Sequence, residues 1–254
     1  MTPLAYQGVV ASTYDLLVPE DLGDVEFFRR VIAGDGEPAL EIGCGTGRLL
    51  LNYLEQGLDV EGVDSSEEML AICRRKAGER RLQPRLYQQS MQGLDLARRY
   101  RTLYVPACSL MLLTRLEDVV SSLAAFHRHL LSEGRVIVPL FLPWKADVAT
   151  EAAPSGEWRL RRVHSSVRCW ERANYDFAAQ IKAIRLRYEL ADRTEELEMA
   201  LRWYTQEQFA GMLREAGFGE VRALRRYGPE PAQPEDADFT FLATKARDCA
   251  TVCA

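Results

Sequence analysis

The 254-residue chain predicts an α/β fold: a doubly wound, mostly parallel sheet of seven strands ending in an antiparallel pair, with an antiparallel insertion. Three observations carry that expectation. The run Ala39-Leu40-Glu41-Ile42 stops at a turn with glycines at 43, 45 and 47, and the chain then continues with helical periodicity. Apolar runs alternate with helical segments from residue 39 to 141, the rhythm of parallel strands covered on both faces. Between residues 157 and 204 the long helices vanish, and alternation through Leu186, Tyr188 and Leu190 marks strands wetted on one face.

Each element has its own justification. Tyr6 and Tyr14 lie in an N-terminal segment, beginning near Leu4, that Pro19 ends. Asp24 is placed to cap a helix reaching about residue 33, with Val25, Phe28 and Ile32 on one face. Gly34-Asp35-Gly36 closes it, the first strand covers 39–42, and the glycine turn opens a helix over 49–56. The second strand, 59–63, ends at Asp64. Ser65 with Glu68 reads as a capping box for a helix whose apolar face is Met69, Leu70, Ile72 and Cys73. Strands are expected at 85–88, 103–107 and 136–141, with a helix over 116–131 that Gly134 ends. The insertion reads as strands near 158–170, 178–190 and 195–204, with Asp192-Arg193 at a hairpin turn. Thr205 and Gln208 form a second capping box, Gly217 follows its helix, and strands at 219–227 and 238–245 complete the sheet. One domain therefore spans 1–245, with N-terminal helices at 1–35, the insertion at 143–204 and a short tail at 246–254.

The apolar fraction, 47%, suffices for a core, and a net charge of −5 argues against a nucleic-acid surface. Arg159, Arg161, Arg162 and Arg168 make a local basic stretch, read as a solvated strand face, with contact to an anionic substrate or partner as the alternative. Six cysteines, at 44, 73, 108, 169, 249 and 253, include no C-x-x-C pair, and His127, His129 and His164 add no metal-ligand spacing, so no metal is expected. Neither a signal-peptide pattern nor an apolar run of about 20 residues is present, which points to a cytoplasmic setting without membrane contact.

The glycine spacing also narrows the ligand. A dinucleotide turn reads G-x-G-x-x-G, but here the third glycine comes one residue early and Arg48 takes its place, which disfavours NAD. The pattern E-x-G-x-G-x-G over 41–47, with Asp64 at the end of the next strand, resembles the first two motifs of the Rossmann-like (class I) S-adenosylmethionine (SAM)-dependent methyltransferases. The stretch Arg202-Trp203-Tyr204-Thr205-Gln206-Glu207-Gln208-Phe209, continued by Leu213-Arg214-Glu215-Ala216-Gly217-Phe218, is similar to the segment that precedes that family's final hairpin. Together they cover about 40–245 and resemble small-molecule members with a β-insertion over the active site.

That resemblance implies SAM as cofactor, S-adenosylhomocysteine (SAH) as product and a small-molecule methyl acceptor. It assigns Glu41 to orienting the turn and to the SAM ammonium, often through water, the turn of Gly43, Cys44, Gly45 and Gly47 to the methionyl part, and Asp64 to the ribose, with Ser65 and Met69 following. Ser90 and Met91 fall at the adenine end, where many relatives carry Gly-Asp-Met or Gly-Asp-Ala. Pro106, Ala107 and Cys108, with Ser109, fall between sulfonium and acceptor, and Tyr14 with Asp15 matches a Tyr-Asp pair in the segment that folds over the cofactor. Candidates for the acceptor pocket are Tyr14, Ser109, Trp144, Arg168, Trp170, Arg202 and Tyr204. Tyr100-Arg101-Thr102 replaces the usual Phe-Asp entry to the fourth strand, a change expected to alter surface chemistry only. No His–acid constellation offers a base, which tilts the reading toward nitrogen over oxygen as acceptor atom. Cys108 is not expected to act as a nucleophile, and His127 and His129 are read as structural. A non-catalytic SAM- or SAH-binding protein is the alternative, and the assembly is expected to be a monomer or homodimer.

Overall fold

In the computed structural model, which describes residues 6–149 and 156–247, helices α1 (Val9–Leu17) and α2 (Val25–Asp35) precede the first strand, β1 (Ala39–Ile42). Helix α3 (Arg48–Glu55), strand β2 (Val60–Asp64), helix α4 (Glu67–Glu79), and strands β3 (Leu86–Gln88) and β4 (Tyr100–Tyr104) follow. A 3₁₀ segment, Pro106–Leu112, leads to α5 (Leu116–His129), β5 (Leu130–Phe141) and α6 (Pro143–Ala149). The insertion supplies β6 (Trp158–His164), β7 (Val167–Asp176), β8 (Ile181–Leu190) and β9 (Thr194–Arg202). Helix α7 (Gln206–Glu215) and strands β10 (Phe218–Arg225) and β11 (Asp238–Lys245) complete the chain.

The main sheet has the order β10-β11-β5-β4-β1-β2-β3, and a second sheet has the order β6-β7-β8-β9. Strands β3, β2, β1, β4 and β5 run parallel, whereas β11 lies antiparallel between β5 and β10. The fold class is the one the sequence predicts. All four residues of β1 are buried, as a strand covered on both faces requires. Phe28, Ile32, Leu49, Tyr53 and Leu70 pack on one face of the sheet, and Phe126, Leu123, Phe209 and Phe241 on the other. The strand order reverses at β1, which is flanked by β2 and β4, so a crevice opens beyond its carboxyl end, where open α/β sheets bind ligands. Across the mouth of that crevice lies the second sheet, with α1 packed on it through Val9, Val10, Cys169, Ile184 and Tyr188. No helix among the described residues is long and apolar enough to cross a membrane.

Several local expectations are corrected. Asp24 precedes α2 but does not cap it, because its fully buried carboxylate accepts from both terminal nitrogens of Arg48, at 2.8 and 2.6 Å. The cap of α4 is Ser66, not Ser65: its hydroxyl accepts from the Met69 N–H, while the Glu68 carboxylate reaches away to the Gly8 N–H. Thr205 and Gln208 do form the capping box of α7. Strand β4 lies three residues earlier than expected, at 100–104, because Ala107 and Cys108 take positive φ (53° and 56°) and turn the chain out of the sheet.

Tyr100 is consequently no surface residue; it is fully buried and donates to Glu61 at 2.7 Å. Helix α5 ends at His129, not at Gly134, and the chain enters β5 at once. Gly134 instead lies inside that strand, where a Cβ would sit about 3 Å from the carbonyls of Leu131, Arg101 and Tyr100. The single long strand expected over 158–170 is a hairpin, β6 and β7, turned at Ser165-Ser166. Leu4 and the tail cysteines Cys249 and Cys253 lie outside the described residues.

Candidate functional site

The crevice holds two adjoining chambers. One, of about 280 Å³, is lined by the glycine turn, the end of β2 and the loops after β3 and β4, including Gly43, Gly45, Asp64, Ser65, Met69, Ser90, Met91, Ala107 and Ser109. The other, of about 460 Å³, lies between the main sheet and the insertion. Tyr6, Tyr14 and Ala107 line both, so the chambers meet there.

The turn is shaped by its neighbours. At Gly43 a Cβ would stand 3.4 Å from the Ser109 hydroxyl and 3.8 Å from the Met91 methyl, so the missing side chain is part of the smaller chamber. Gly47 serves packing instead: its φ is +82°, and a Cβ there would lie 2.6 Å from the Cys73 sulfur and 2.9 Å from Leu51. Gly47 therefore does not line the chamber as expected. The side chain of Cys44 also turns away, into the core beside Leu50, and burial pushes its thiol well above the usual range.

Asp64 organises the rim. Its two oxygens accept separately from the N–H groups of Gly45 and Ser66, each at 2.8 Å, which locks the glycine turn to the start of α4. Each carboxylate oxygen has further acceptor capacity on the chamber side. Burial raises its pKa against the pull of those backbone donors. Glu41, in contrast, does not line the chamber. It is 2% exposed beneath the turn and accepts from the Tyr104 hydroxyl at 2.9 Å, and burial pushes its carboxyl up to about 8.

The N-terminal segment roofs both chambers. The Tyr6 and Tyr14 rings meet edge to face at 6.0 Å. Asp15 accepts from Thr46 at 2.6 Å and from Lys76 at 2.8 Å, and the Tyr6 carbonyl accepts from Ser66 at 2.5 Å. The Tyr-Asp pair thus divides its work: the acid docks α1 on the glycine turn while the ring faces the chambers. At the far end of the smaller chamber, Gln92 is a residue sequence reasoning missed; its Oε1 is buried without a partner, and it lines the wall beside Ser90 and Met91. Only adjacency to those two residues pointed to it.

The candidates after β4 separate. Ala107 faces both chambers, Cys108 faces only the larger one with its thiol pushed upward by burial, and Pro106 is buried behind them. Ser109 lines the smaller chamber and donates to the Pro106 carbonyl at 2.7 Å. Of the acceptor-pocket candidates, Tyr14 alone lines the larger chamber. Trp144 packs against Phe177, Trp170 is half-buried on the insertion opposite Leu160, and Tyr204 lies in the core against Phe209. Arg202 donates to the carbonyls of Thr114 and Ala179, and Arg168 lies in a surface cleft with His164 and Ser165. Neither His127 nor His129 reaches the crevice: His127 meets Phe218 edge to face at 5.1 Å, and His129 accepts from the Leu96 N–H at 2.9 Å.

What lines the larger chamber was not evident from motifs. Tyr188 and Met199 come from the insertion, and Tyr227, Asp238 and Thr240 from the final hairpin. Asp238 is the one acid on its wall among the described residues, and the Thr240 hydroxyl there is buried without a partner. Arg161 and Arg162 also face it, so the basic stretch is not simply a solvated strand face.

Comparison with known proteins agrees with this architecture. Residues 39–134 match the family described as methyltransferase domain. A dTDP-3-amino-3,6-dideoxy-alpha-D-glucopyranose N,N-dimethyltransferase of Streptomyces fradiae is 28% identical over 146 residues, 55% of this chain and 54% of that protein. The chain spans about half the length of the curated relatives it matches. Among solved structures, the CcbJ methyltransferase of Streptomyces caelestis superposes with a TM-score of 0.82 at 20% identity, over 97% of this chain and 100% of that one. The SAM-bound amino pentose methyltransferase CalS10 of Micromonospora echinaspora gives a TM-score of 0.70 at 20% identity, covering 95% and 98%. Residues 39–134 thus match the methyltransferase-domain family, and the fold of the whole chain is that of the Rossmann-like (class I) SAM-dependent methyltransferases.

Proposed function

We propose that this protein transfers the methyl group of SAM to a nitrogen of a small-molecule acceptor. The observation that carries the reading is the pair of chambers joined at Tyr6, Tyr14 and Ala107, one beside Asp64 and the glycine turn, the other roofed by the insertion. Both volumes are near the range of about 300–1,000 Å³ typical of small-molecule sites. The smaller chamber fits SAM chemically. Asp64 presents acceptor oxygens for a ribose diol, Gly43 leaves the space a Cβ would fill, and the unpartnered Gln92 Oε1 matches an adenine amino group.

When bound, SAM supplies a methyl group already made electrophilic by its sulfonium. The protein's own task is to align the acceptor and to keep water out. Tyr6 and Tyr14 close the wall between the chambers, and Met69 and Met91 give the smaller one apolar contact. Asp238, as the acid of the larger chamber, is the atom group available to take the proton lost when an amine is methylated. Similarity to two amino-sugar N,N-dimethyltransferases and to a sugar N-methyltransferase supports nitrogen as the acceptor atom.

The test combines calorimetry with SAH and transfer of labelled methyl from SAM to a panel of amines, amino sugars and phenols. SAH binding with label recovered on nitrogen is the expected result. Lack of SAH binding overturns the cofactor assignment, and label recovered only on oxygen overturns the nitrogen assignment. SAH binding with no transfer to any acceptor would favour a binding protein over an enzyme.

A further inference from the structure

Strand β6 carries a register shift that brings two adjacent arginines to one wall. Leu160 pairs with Trp170 and Arg162 with Cys169, so Arg161 has no partner of its own across β7. In a regular strand successive side chains face opposite sides, and only one of two neighbouring arginines would face inward. The bulge removes that constraint, as bulges do where a strand must re-aim a side chain, and both Arg161 and Arg162 line the larger chamber.

Among the described residues, the charges behind that wall do not balance. Glu171 bonds Arg159 at 2.7 Å, Lys182 at 2.9 Å and Arg161 at 3.1 Å, and Asp147 bonds the first two again, each at 3.0 Å. Two carboxylates thus already serve three cations. Arg162 is a fourth: it donates to the Leu17 carbonyl and meets no carboxylate among the described residues. Burial and the neighbouring Arg161 both push its pKa down. A guanidinium has five donors, and a partly buried one without a counter-ion is costly until an anion arrives. Asp238, the chamber's acid, stands instead near Arg226 on the hairpin side.

We propose that Arg161 and Arg162 form an anion subsite of the larger chamber, so that the methyl acceptor carries a phosphate or carboxylate held at the bulge. This rests on the methyltransferase reading above and adds the acceptor's class. The planar fork of arginine suits either oxyanion, and two forks side by side favour a group with several charged oxygens. The acceptor then spans the chamber from the bulge to Ala107, with its nucleophilic end at the junction of the two chambers.

The experiment uses the full chain, with and without SAH, titrated by calorimetry with pyrophosphate, thymidine diphosphate and benzoate. At least one of them binds with a Kd below about 1 mM, and weakens by about tenfold or more in Arg162→Gln and in Arg161→Gln. Arg162→Lys keeps the charge and recovers part of the loss, while SAH affinity stays the same in all three variants. Binding by the phosphates alone assigns a phosphate, and binding by benzoate alone assigns a carboxylate. The proposal is overturned when none of the three binds wild-type protein, or when both glutamine variants bind them as tightly as wild-type protein does. Failure of wild-type protein to bind SAH would count against the methyltransferase reading instead, and the titrations without SAH still decide the subsite.

Discussion

Two glutamates, one in each sheet, are equally hidden from water and carry opposite charge preferences. Glu41 of β1 and Glu171 of β7 are each 2% exposed. Glu41 meets one neutral donor, the Tyr104 hydroxyl, and is pushed up to about 8 by burial. Glu171 is also penalised by burial, yet Arg161, Lys182 and Arg159 together hold it at about 2. Depth alone therefore does not decide ionisation; the partners do. In the parallel sheet a near-neutral acid underlies a turn built from backbone. In the insertion a charged acid gathers cations and so shapes a basic wall.

The largest break in that contrast comes from removing one charge. Glu171→Gln leaves Arg159, Arg161 and Lys182 without their shared anion, and a loss of about 3–5 kcal/mol in urea denaturation is expected. Glu41→Gln keeps a partner for Tyr104 and removes the proton that the buried acid must hold at pH 7, so it is expected to raise stability there, not lower it. Should the two variants lose the same stability, the contrast fails.

Titration sharpens it. Between pH 4.5 and about 8 native Glu41 retains a proton that the unfolded chain releases, so its contribution falls as pH rises. Wild-type stability, measured against Glu41→Gln without SAM, should drop by about 1.4 kcal/mol per pH unit across that window. Glu171 runs the other way: its stabilisation is present above 4.5 and disappears as pH falls through about 2. Denaturation curves for the two variants and wild type that remain parallel across pH would contradict both assignments.

Smaller effects concern the rim. Asp64→Ala removes the acceptor shared by the Gly45 and Ser66 amides, and SAH affinity is expected to weaken by about 1–3 kcal/mol in calorimetry. Unchanged affinity would take Asp64 out of the site. Ser66→Ala loses a helix cap and the bond to the Tyr6 carbonyl, for an expected cost of about 1 kcal/mol in thermal unfolding. No measurable change would show that the bonds at Gly8, Asp15 and Leu17 hold the roof without it.

Legibility in the sequence followed the same division. The turn of Gly43, Gly45 and Gly47 is encoded locally, since backbone angles and close approach both require glycine, and Asp64 follows at the next strand end. Errors there were of one residue, as with Ser66 in place of Ser65, because two adjacent serines offer the same cap. Tyr100 was misplaced because its environment is set by Glu61, 39 residues earlier. The larger chamber was nearly illegible. Arg161 and Arg162 face inward only because β6 slips against β7, and no feature of Arg161-Arg162 itself announces a bulge. Asp238 reaches the crevice through the antiparallel return of β11, while Trp144, Trp170, Arg202 and Tyr204 satisfy packing or carbonyl groups elsewhere.

The tethering of α1 ties the two chambers together structurally. Its acid grips Thr46 and Lys76 on one flank, and its final carbonyl receives Arg162 on the other. One nine-residue segment is therefore the shared door of two rooms. Any displacement of that segment would reshape the walls of both at once.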